Sequence, residues 1–287
     1  MILIADSGST KTAWCLLHEH HAKLITTQGI NPFQLDEADM AAVIQKELLP
    51  QLEMYGQSVQ LDDIVERIGE IFFYGAGCTK EKAPVVATAI RTVMNNKARI
   101  NVLSDMLGAA RALCADRPGI VCILGTGSNS CYYDGEEIVD NVSPLGYILG
   151  DEGSGAYMGK RLVGNCLKKQ FSEETCLLFE QETKLDPQTI IQKVYREPMP
   201  SRFLASLSPF CARHRDIPEI HDFIIDCFTQ FFMRNVNLYN CPELPVCFTG
   251  SVAWFYQNEL RETADKLGFK MGEVLQAPMA GLIKYHA

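Results

Sequence analysis

Three runs in this 287-residue chain have the residue types and spacing to handle a phosphorylated anion: Asp6 to Thr12 (DSGSTKT), Gly125 to Ser130 (GTGSNS) and Gly150 to Gly155 (GDEGSG). Glycine reaches backbone conformations closed to other residues, so a glycine-rich turn can aim a row of N–H groups at one anion. Small hydroxyls add donors without bulk. Ser7, Gly8, Ser9 and Thr10 fit that description in the first run, and Gly125, Thr126, Gly127 and Ser128 in the second. Asp6, at the end of an apolar strand, can hold a hydrated Mg²⁺ through water and so neutralise a polyphosphate. Asp105 enters a helix between VLS and MLGAA, with no other charge nearby in sequence. A helix N-terminus favours the ionised carboxylate, the form a base for a hydroxyl needs. Lys11 faces the same phosphates or solvent.

Each feature also has a plainer reading. Gly/Ser/Thr clusters form turns. Asp105 can be the N-cap of a helix Met106 to Cys114, and Asp151 and Glu152 can be first-turn acids that favour a helix dipole. TGSV, at Thr249 to Val252, can be a simple loop into its helix, and His18, His20 and His21 read as a polar hairpin tip rather than a metal cluster. A dinucleotide fingerprint is excluded because GTGSNS lacks the third glycine and is followed by NSCYYDGEE, which suits a hairpin and not a helix. The Walker spacing before Lys-Ser/Thr is absent as well, so Lys11 is no P-loop lysine.

These residues need elements to hold them. Ile2 to Ala5 and AWCLLHE read as strands around the first run, with a third strand near Lys23 to Thr27. Helical periodicity is expected over Glu37 to Met54 and Glu81 to Met94, with strands at Ile71 to Tyr74 and Arg99 to Leu103. IVCIL then leads into GTGS and NSCYY, a second strand–turn–strand. Setting ILIADSGSTKTAW over VCILGTGSNSCYY aligns Gly8 with Gly127 and places Asp6 opposite Gly125, an internal repeat that implies two related sheet domains. Further on, helices are expected at Ser154 to Gln170, Ile217 to Leu238 and Ala253 to Leu267, a final core strand at Leu244 to Phe248, and a last helix from Met279 after Pro278.

The totals bound the class. Length favours two domains. With 35 acidic against 26 basic residues the net charge is -9, which repels nucleic acid and anionic membrane. The 11 cysteines form no C-x-x-C pair and sit in apolar runs, as buried reduced thiols do. MILIAD reaches an aspartate too early for a signal peptide, and no window is long enough to span a membrane, so a cytoplasmic protein is expected.

The order DSGSTKT, GIN, SD, LGTGSNS, GDEGSG and TGSVA resembles the BadF/BadG-type ATPases, and in particular the N-acetylglucosamine kinases, within the superfamily of acetate kinase, hexokinase, actin and Hsp70. The resemblance implies an α/β fold of two RNase H-like (actin-like ATPase) domains with a nucleotide cleft between them. These would be residues 1–115 with the C-terminal helix at about 279–287, and residues 116–278 with a helical insertion. It implies ATP and Mg²⁺ as cofactors and phosphorylation of the 6-hydroxyl of N-acetylglucosamine, with glucosamine and N-acetylmuramic acid as alternative sugars.

By the same resemblance Asp105 matches the catalytic base, and Asp6 and Thr10 lie in the first phosphate motif. Gly125 to Ser128 form the second, Gly250 and Ser251 match the adenosine motif, and Asn31, Ser128, Asn129, Gly146 and Asp151 match sugar contacts. The chain departs from the family where Gly75 replaces a sugar-binding serine and where Pro144, Leu145 and Gly146 replace Gly-Trp-Gly. The expected partner is a small-molecule sugar, with no nucleic acid or membrane, and a homodimer is allowed. A different class stays open: an ATPase coupling hydrolysis to a partner protein, whose relatives bridge an iron–sulfur cluster with cysteines near the second loop, where Cys122 and Cys131 lie here.

Overall fold

The computed structural model describes residues 1–19, 21–53, 61–94 and 97–287, so His20 and Met54 lie outside the described residues. The chain divides into two compact units, Met1–Asp116 with Pro278–Ala287, and Arg117–Ala277.

In the first unit, β1 (Ile2–Ser7), β2 (Lys11–His18), β3 (His21–Gln28), β4 (Glu70–Gly75) and β5 (Arg99–Ser104) form one sheet in the order β3-β2-β1-β4-β5. The β1–β2 and β2–β3 pairs are antiparallel, whereas β4 runs parallel to β1 and β5 to β4. The apolar run of β1 is covered on both faces, as a central strand requires. Leu3 and Ala5 join a core with Trp14, Phe73, Met40 and Ile90, while Ile4, between them in sequence, joins Cys15, Tyr74 and Leu282 on the other face.

That second face is closed by the helix Met279–His286. Gly281 lies so close to the helix Asp105–Cys114 that a Cβ would overlap the Ala112 carbonyl. Arg111 donates to the Tyr74 hydroxyl at 2.9 Å, and the same hydroxyl meets His286 Nε2 at 2.9 Å. Burial and the Arg111 charge hold His286 down at about 4.

The second unit repeats the plan. β6 (Gly119–Leu124), β7 (Ser128–Tyr133), β8 (Ile138–Asp140), β9 (Val246–Thr249) and β10 (Met271–Leu275) take the order β10-β9-β6-β7-β8. β7 is antiparallel to β6 and β8 to β7, while β9 runs parallel to β6 and β10 to β9. β6 therefore occupies the place of β1. The alignment of Gly8 with Gly127 is corrected: Ser7 pairs with Thr12, leaving four residues in the first turn, whereas Leu124 pairs with Ser128, leaving three. Counted from the strand ends, Gly8 corresponds to Gly125. Aligning on Gly-Ser slid the hairpins by two residues relative to the ends of β1 and β6.

Other expectations are adjusted. The 37–54 periodicity resolves into Glu37–Val43, a π-helical turn Ile44–Leu48, and Leu49–Glu53. Helix Ala253 to Leu267 is two helices, Ser251–Phe255 and Gln257–Leu267. The strand near Leu244 is not the last, because β10 follows it, and its Met-Gly-Glu-Val-Leu, only partly buried, lacks a strong apolar alternation.

Candidate active site

In the first unit, Ser7, Gly75 and Ser104 lie in one row across β1, β4 and β5. Ser104 is the N-cap of the helix Asp105–Cys114, its hydroxyl accepting from Leu107 N, a cap worth about 1 kcal/mol. The N-cap reading of Asp105 is therefore corrected: Asp105 is the first helical residue, and its carboxylate accepts from Met106 N at 2.9 Å. Burial pushes its pKa up, against the pull of the Met106 and Asp105 N–H groups. Asp6 is also raised, to about 7, chiefly by burial, next by the Asp105 charge, with Lys11 opposing. Asp6, Lys11 and Asp105 thus share one electrostatic neighbourhood.

The residues 8–10 turn is open. Ser9, Thr10 and Lys11 are exposed, and a Cβ at Gly8 would meet only the Lys11 carbonyl, at 3.8 Å. Ser7 plays another part, since its buried hydroxyl bonds Thr12 Oγ1 at 2.6 Å and the Ile30 carbonyl at 2.9 Å. Ser7 thereby ties the hairpin to the segment carrying Asn31, whose Nδ2 donates to Ser9 Oγ at 3.1 Å and whose Oδ1 accepts from Phe33 N. Gly29 makes this approach feasible, because a Cβ there would overlap the Gly8 carbonyl. Gly75 also has a local cause. A Cβ at that position would stand 2.6 Å from the Phe73 ring and 2.7 Å from Cys78 Sγ, so the serine expected from the family does not fit.

Asp6 yields a prediction separable from catalysis. Its folded pKa of about 7 lies above 3.8, so its protonated form is favoured by folding. The stabilisation is complete below about pH 3.8 and is lost as pH rises through 7. Asp6→Asn, which stays neutral, is therefore expected to raise the melting temperature at pH 8, without nucleotide, by several degrees, corresponding to at most about 4 kcal/mol. The gain should vanish near pH 4. Thermal melts of both proteins across that range check it, and equal melts at pH 8 would remove the buried charge from the account.

In the second unit, the turn of residues 125–127 rests on the helix Gly155–Leu167, whose first N–H groups donate to it: Gly155 N to Gly125 O at 2.9 Å and Ala156 N to Thr126 O at 3.0 Å. Asp151 meets the same turn, its Oδ1 accepting from Ser128 N at 3.4 Å. A Cβ on Gly127 would lie 2.9 Å from Asp151 Oδ2, whereas one on Gly125 would meet nothing within 4 Å. Burial raises Asp151 to about 6, with the Ser128 N–H opposing and Glu152 adding to the rise.

Asp151 also has φ 52°, a left-handed conformation costing about 1 kcal/mol or more in a non-glycine residue. Its surroundings impose that conformation. Asp151 N donates to Pro144 O, Glu152 is buried and pairs with Arg234 at 3.0 Å, and Gly153 packs against Phe231. Asp151 and Glu152 are thus loop residues before the N-cap Ser154, not first-turn acids. Gly146, at φ 73°, opens the short helix Gly146–Leu149, which Gly150 N closes by donating to Gly146 O. Asn129 is held by Asn141, which donates to its Oδ1 at 3.0 Å.

Gly250, at φ 114°, fits under the Leu124 carbonyl where no Cβ can stand, and starts the helix that carries Ser251. A cavity of about 570 Å³ opens where Gly125, Thr126 and Ser251 meet Ala205, Pro209 and Phe255. The far wall comes from the helices Pro200–Ala205 and Pro209–Arg213. Sequence reasoning missed this wall because its mixed residues, Arg202, Ala205, Ser206, Pro209 and Arg213 among them, form no contiguous motif. It missed Gly29 as well, although GIN was in view, and Arg234, which nothing local marks.

No protein-family model matches the chain, and no curated protein matches it significantly. Solved structures do. A candidate N-acetylglucosamine kinase from Porphyromonas gingivalis is 50% identical, with 100% of this chain and 98% of that one covered and a TM-score of 0.92. A second candidate N-acetylglucosamine kinase, from Chromobacterium violaceum, is 18% identical over 100% and 98% of the chains with a TM-score of 0.74. A ROK family glucokinase from Streptomyces griseus, in complex with glucose and AMPPNP, is 12% identical over 99% and 97% with a TM-score of 0.57. The latter two show a shared fold, that of the actin-like ATPases. Identity of one residue in two along the whole chain, together with that fold, places this chain in the N-acetylglucosamine kinase-like family.

Proposed function

We propose that the chain is an ATP-dependent sugar kinase that phosphorylates the 6-hydroxyl of N-acetylglucosamine. The observation that carries the reading is Asp105, a half-buried carboxylate relieved of capping by Ser104 and sharing its surroundings with Asp6 beside an open glycine turn. Asp105 accepts the proton of the sugar hydroxyl while that oxygen bonds to the γ-phosphorus and the bond from phosphorus to ADP breaks. Gly8 N donates to Lys11 O and Gly125 N to Gly127 O, closing the two turns. It is therefore the backbone N–H groups of Ser9, Thr126 and Gly127 that hold phosphate oxygens, while Lys11 adds charge and the cavity by Ser251 takes the nucleoside. Asn31, Ser128, Asn129, Gly146 and Asp151 orient the sugar.

Among the described residues no three His, Cys, Asp or Glu side chains are grouped to hold a metal. Mg²⁺ beside Asp6 would therefore draw most of its oxygens from phosphate and water, as this ion commonly does. It would neutralise charge on the phosphates. The raised pKa of Asp6 suits such a role, since a cation is what favours its ionised form.

The partner-coupled ATPase is disfavoured by Cys122 and Cys131, both fully buried in the sheet with thiol pKa values pushed up by burial. Among the described residues, no helix is long and apolar enough to cross a membrane. The test is incubation with MgATP and N-acetylglucosamine, glucosamine or N-acetylmuramic acid, followed by mass and NMR analysis of the product. N-acetylglucosamine 6-phosphate is expected to form fastest. If no sugar raises ADP release above the basal rate, the kinase reading fails.

A further inference from the structure

The loop of residues 144–151 carries two of the proposed sugar contacts, Gly146 and Asp151, in a conformation that its own residues resist. Leu145 and Asp151 are both left-handed, at φ 59° and 52°, and Gly150 passes so close to Pro144 that a Cβ would overlap its carbonyl. L residues keep such angles only where surrounding contacts impose them. Apolar burial does little of that here, since Leu145, Ile148 and Leu149 stay 60%, 68% and 71% exposed. The loop is held instead through its backbone: Gly150 N donates to Gly146 O at 2.8 Å and Asp151 N to Pro144 O at 2.9 Å. A further tether comes from outside the loop. Lys160 Nζ donates to Tyr147 O at 2.9 Å and reaches Ile148 O at 3.4 Å, carbonyls in the last turn of the short helix Gly146–Leu149.

We propose that Lys160 is a positioning residue for the acceptor sugar, its ammonium pinning this loop so that Gly146 and Asp151 stay where the substrate needs them. This rests on the kinase reading above. Carbonyls at a helix end have no partner within the helix and concentrate negative charge, so a cation suits them well as donor. The ammonium is itself steadied, lying 5.6 Å from the centre of the Tyr157 ring, which precedes it on the helix Gly155–Leu167. The first N–H groups of that helix already hold the turn of residues 125–127, so one element braces both the proposed phosphate turn and the proposed sugar loop. Lys160 acts on Asp151 as well: burial disfavours the charge of that carboxylate and Glu152 adds to the effect, while the Ser128 N–H and Lys160 oppose it.

Lys160→Met keeps the aliphatic stem and removes the donor and the charge, whereas Lys160→Arg keeps both. In Lys160→Met, KM for N-acetylglucosamine is expected to rise by about tenfold or more, with affinity for a nonhydrolysable ATP analogue held within about twofold. Lys160→Arg should recover most of the sugar KM. A second readout needs no substrate: amide hydrogen exchange at Gly150 and Asp151 should quicken by about tenfold or more in Lys160→Met and return toward the parental rate in Lys160→Arg. If the two amides keep the parental rate in folded Lys160→Met, or quicken without a change in sugar KM, the proposal fails while the kinase reading stands. A loss of nucleotide affinity as large as the loss for sugar would make Lys160 a structural residue only and also overturns it. If the amides loosen and arginine restores them but the parent phosphorylates no sugar, the tether stands, and the kinase reading falls together with the sugar role built on it.

Discussion

Asp105→Asn should lower kcat by on the order of a hundredfold or more and leave the fold intact. The amide keeps the size of the side chain and can still accept from Met106 N, and Ser104 continues to cap the helix. What disappears is the only function that needs a free electron pair of raised basicity, proton removal from the sugar hydroxyl. Because burial disfavours the charged form, the neutral variant should melt no lower than the parent at neutral pH. KM for MgATP should change little. In the parent, kcat/KM for sugar should fall as pH drops through the raised pKa of this carboxylate, and that acid limb should be lost with Asp105→Asn. A variant that melts normally and turns over at the parental rate would assign Asp105 to structure alone.

Gly127→Val should reduce both nucleotide affinity and kcat/KM for sugar by at least about a hundredfold. The sequence suggests that the added side chain would fill phosphate space, but the geometry gives a more specific cause. The new Cβ would stand 2.9 Å from Asp151 Oδ2, so the carboxylate must move. Asp151 has little freedom to do so, fixed at φ 52° with its N–H on Pro144 O and the adjoining Glu152 on Arg234. A displacement of about 1 Å at a substrate-orienting group costs on the order of a hundredfold. Gly125→Ala provides the contrast, since its Cβ meets no protein atom within 4 Å and can disturb only a ligand. Isothermal titration with a nonhydrolysable ATP analogue, alongside circular dichroism, separates the two. Normal affinity in folded Gly127→Val would refute the loop assignment.

Much of the fold was legible because its signals are local. The apolar runs of β1 and β6, each leading into glycine, hydroxyl and then aliphatic or aromatic residues, specify a hairpin without reference to the rest of the chain. The likeness of the two runs pointed to repeated sheets, and the shared strand order agrees with that. What sequence misjudged depends on contacts made far along the chain. Ser104, not Asp105, caps its helix, a one-residue difference that only backbone angles decide. β10 has weak alternation and becomes a strand through pairing with β9. Gly29 and Gly250 are required by close passage of another backbone, beneath Gly8 and Leu124 respectively, and composition alone cannot tell such a glycine from a turn former. The cavity wall lay in the stretch where no motif could be placed, since Arg202, Ala205, Ser206, Pro209 and Ala212 are gathered by two short helices and form no contiguous pattern.

The return of the helix Met279–His286 to the first sheet has a consequence for the order in which the protein can be assembled. As the chain emerges from the ribosome, the segment Arg117–Ala277 is complete, with its own core, before the first unit is. Domains tend to fold as units during synthesis, from the N-terminus onward. Here the earlier strands must wait with Ile4, Cys15 and Tyr74 uncovered until Met279 and Leu282 arrive. The helix that begins with Asp105 is clamped last, when Gly281 closes on Ala112 and His286 reaches Tyr74. A nascent chain halted before residue 279 would therefore hold the formed cavity beside Ser251 and an unseated Asp105 helix, so that on the proposed reading it would bind before it could catalyse.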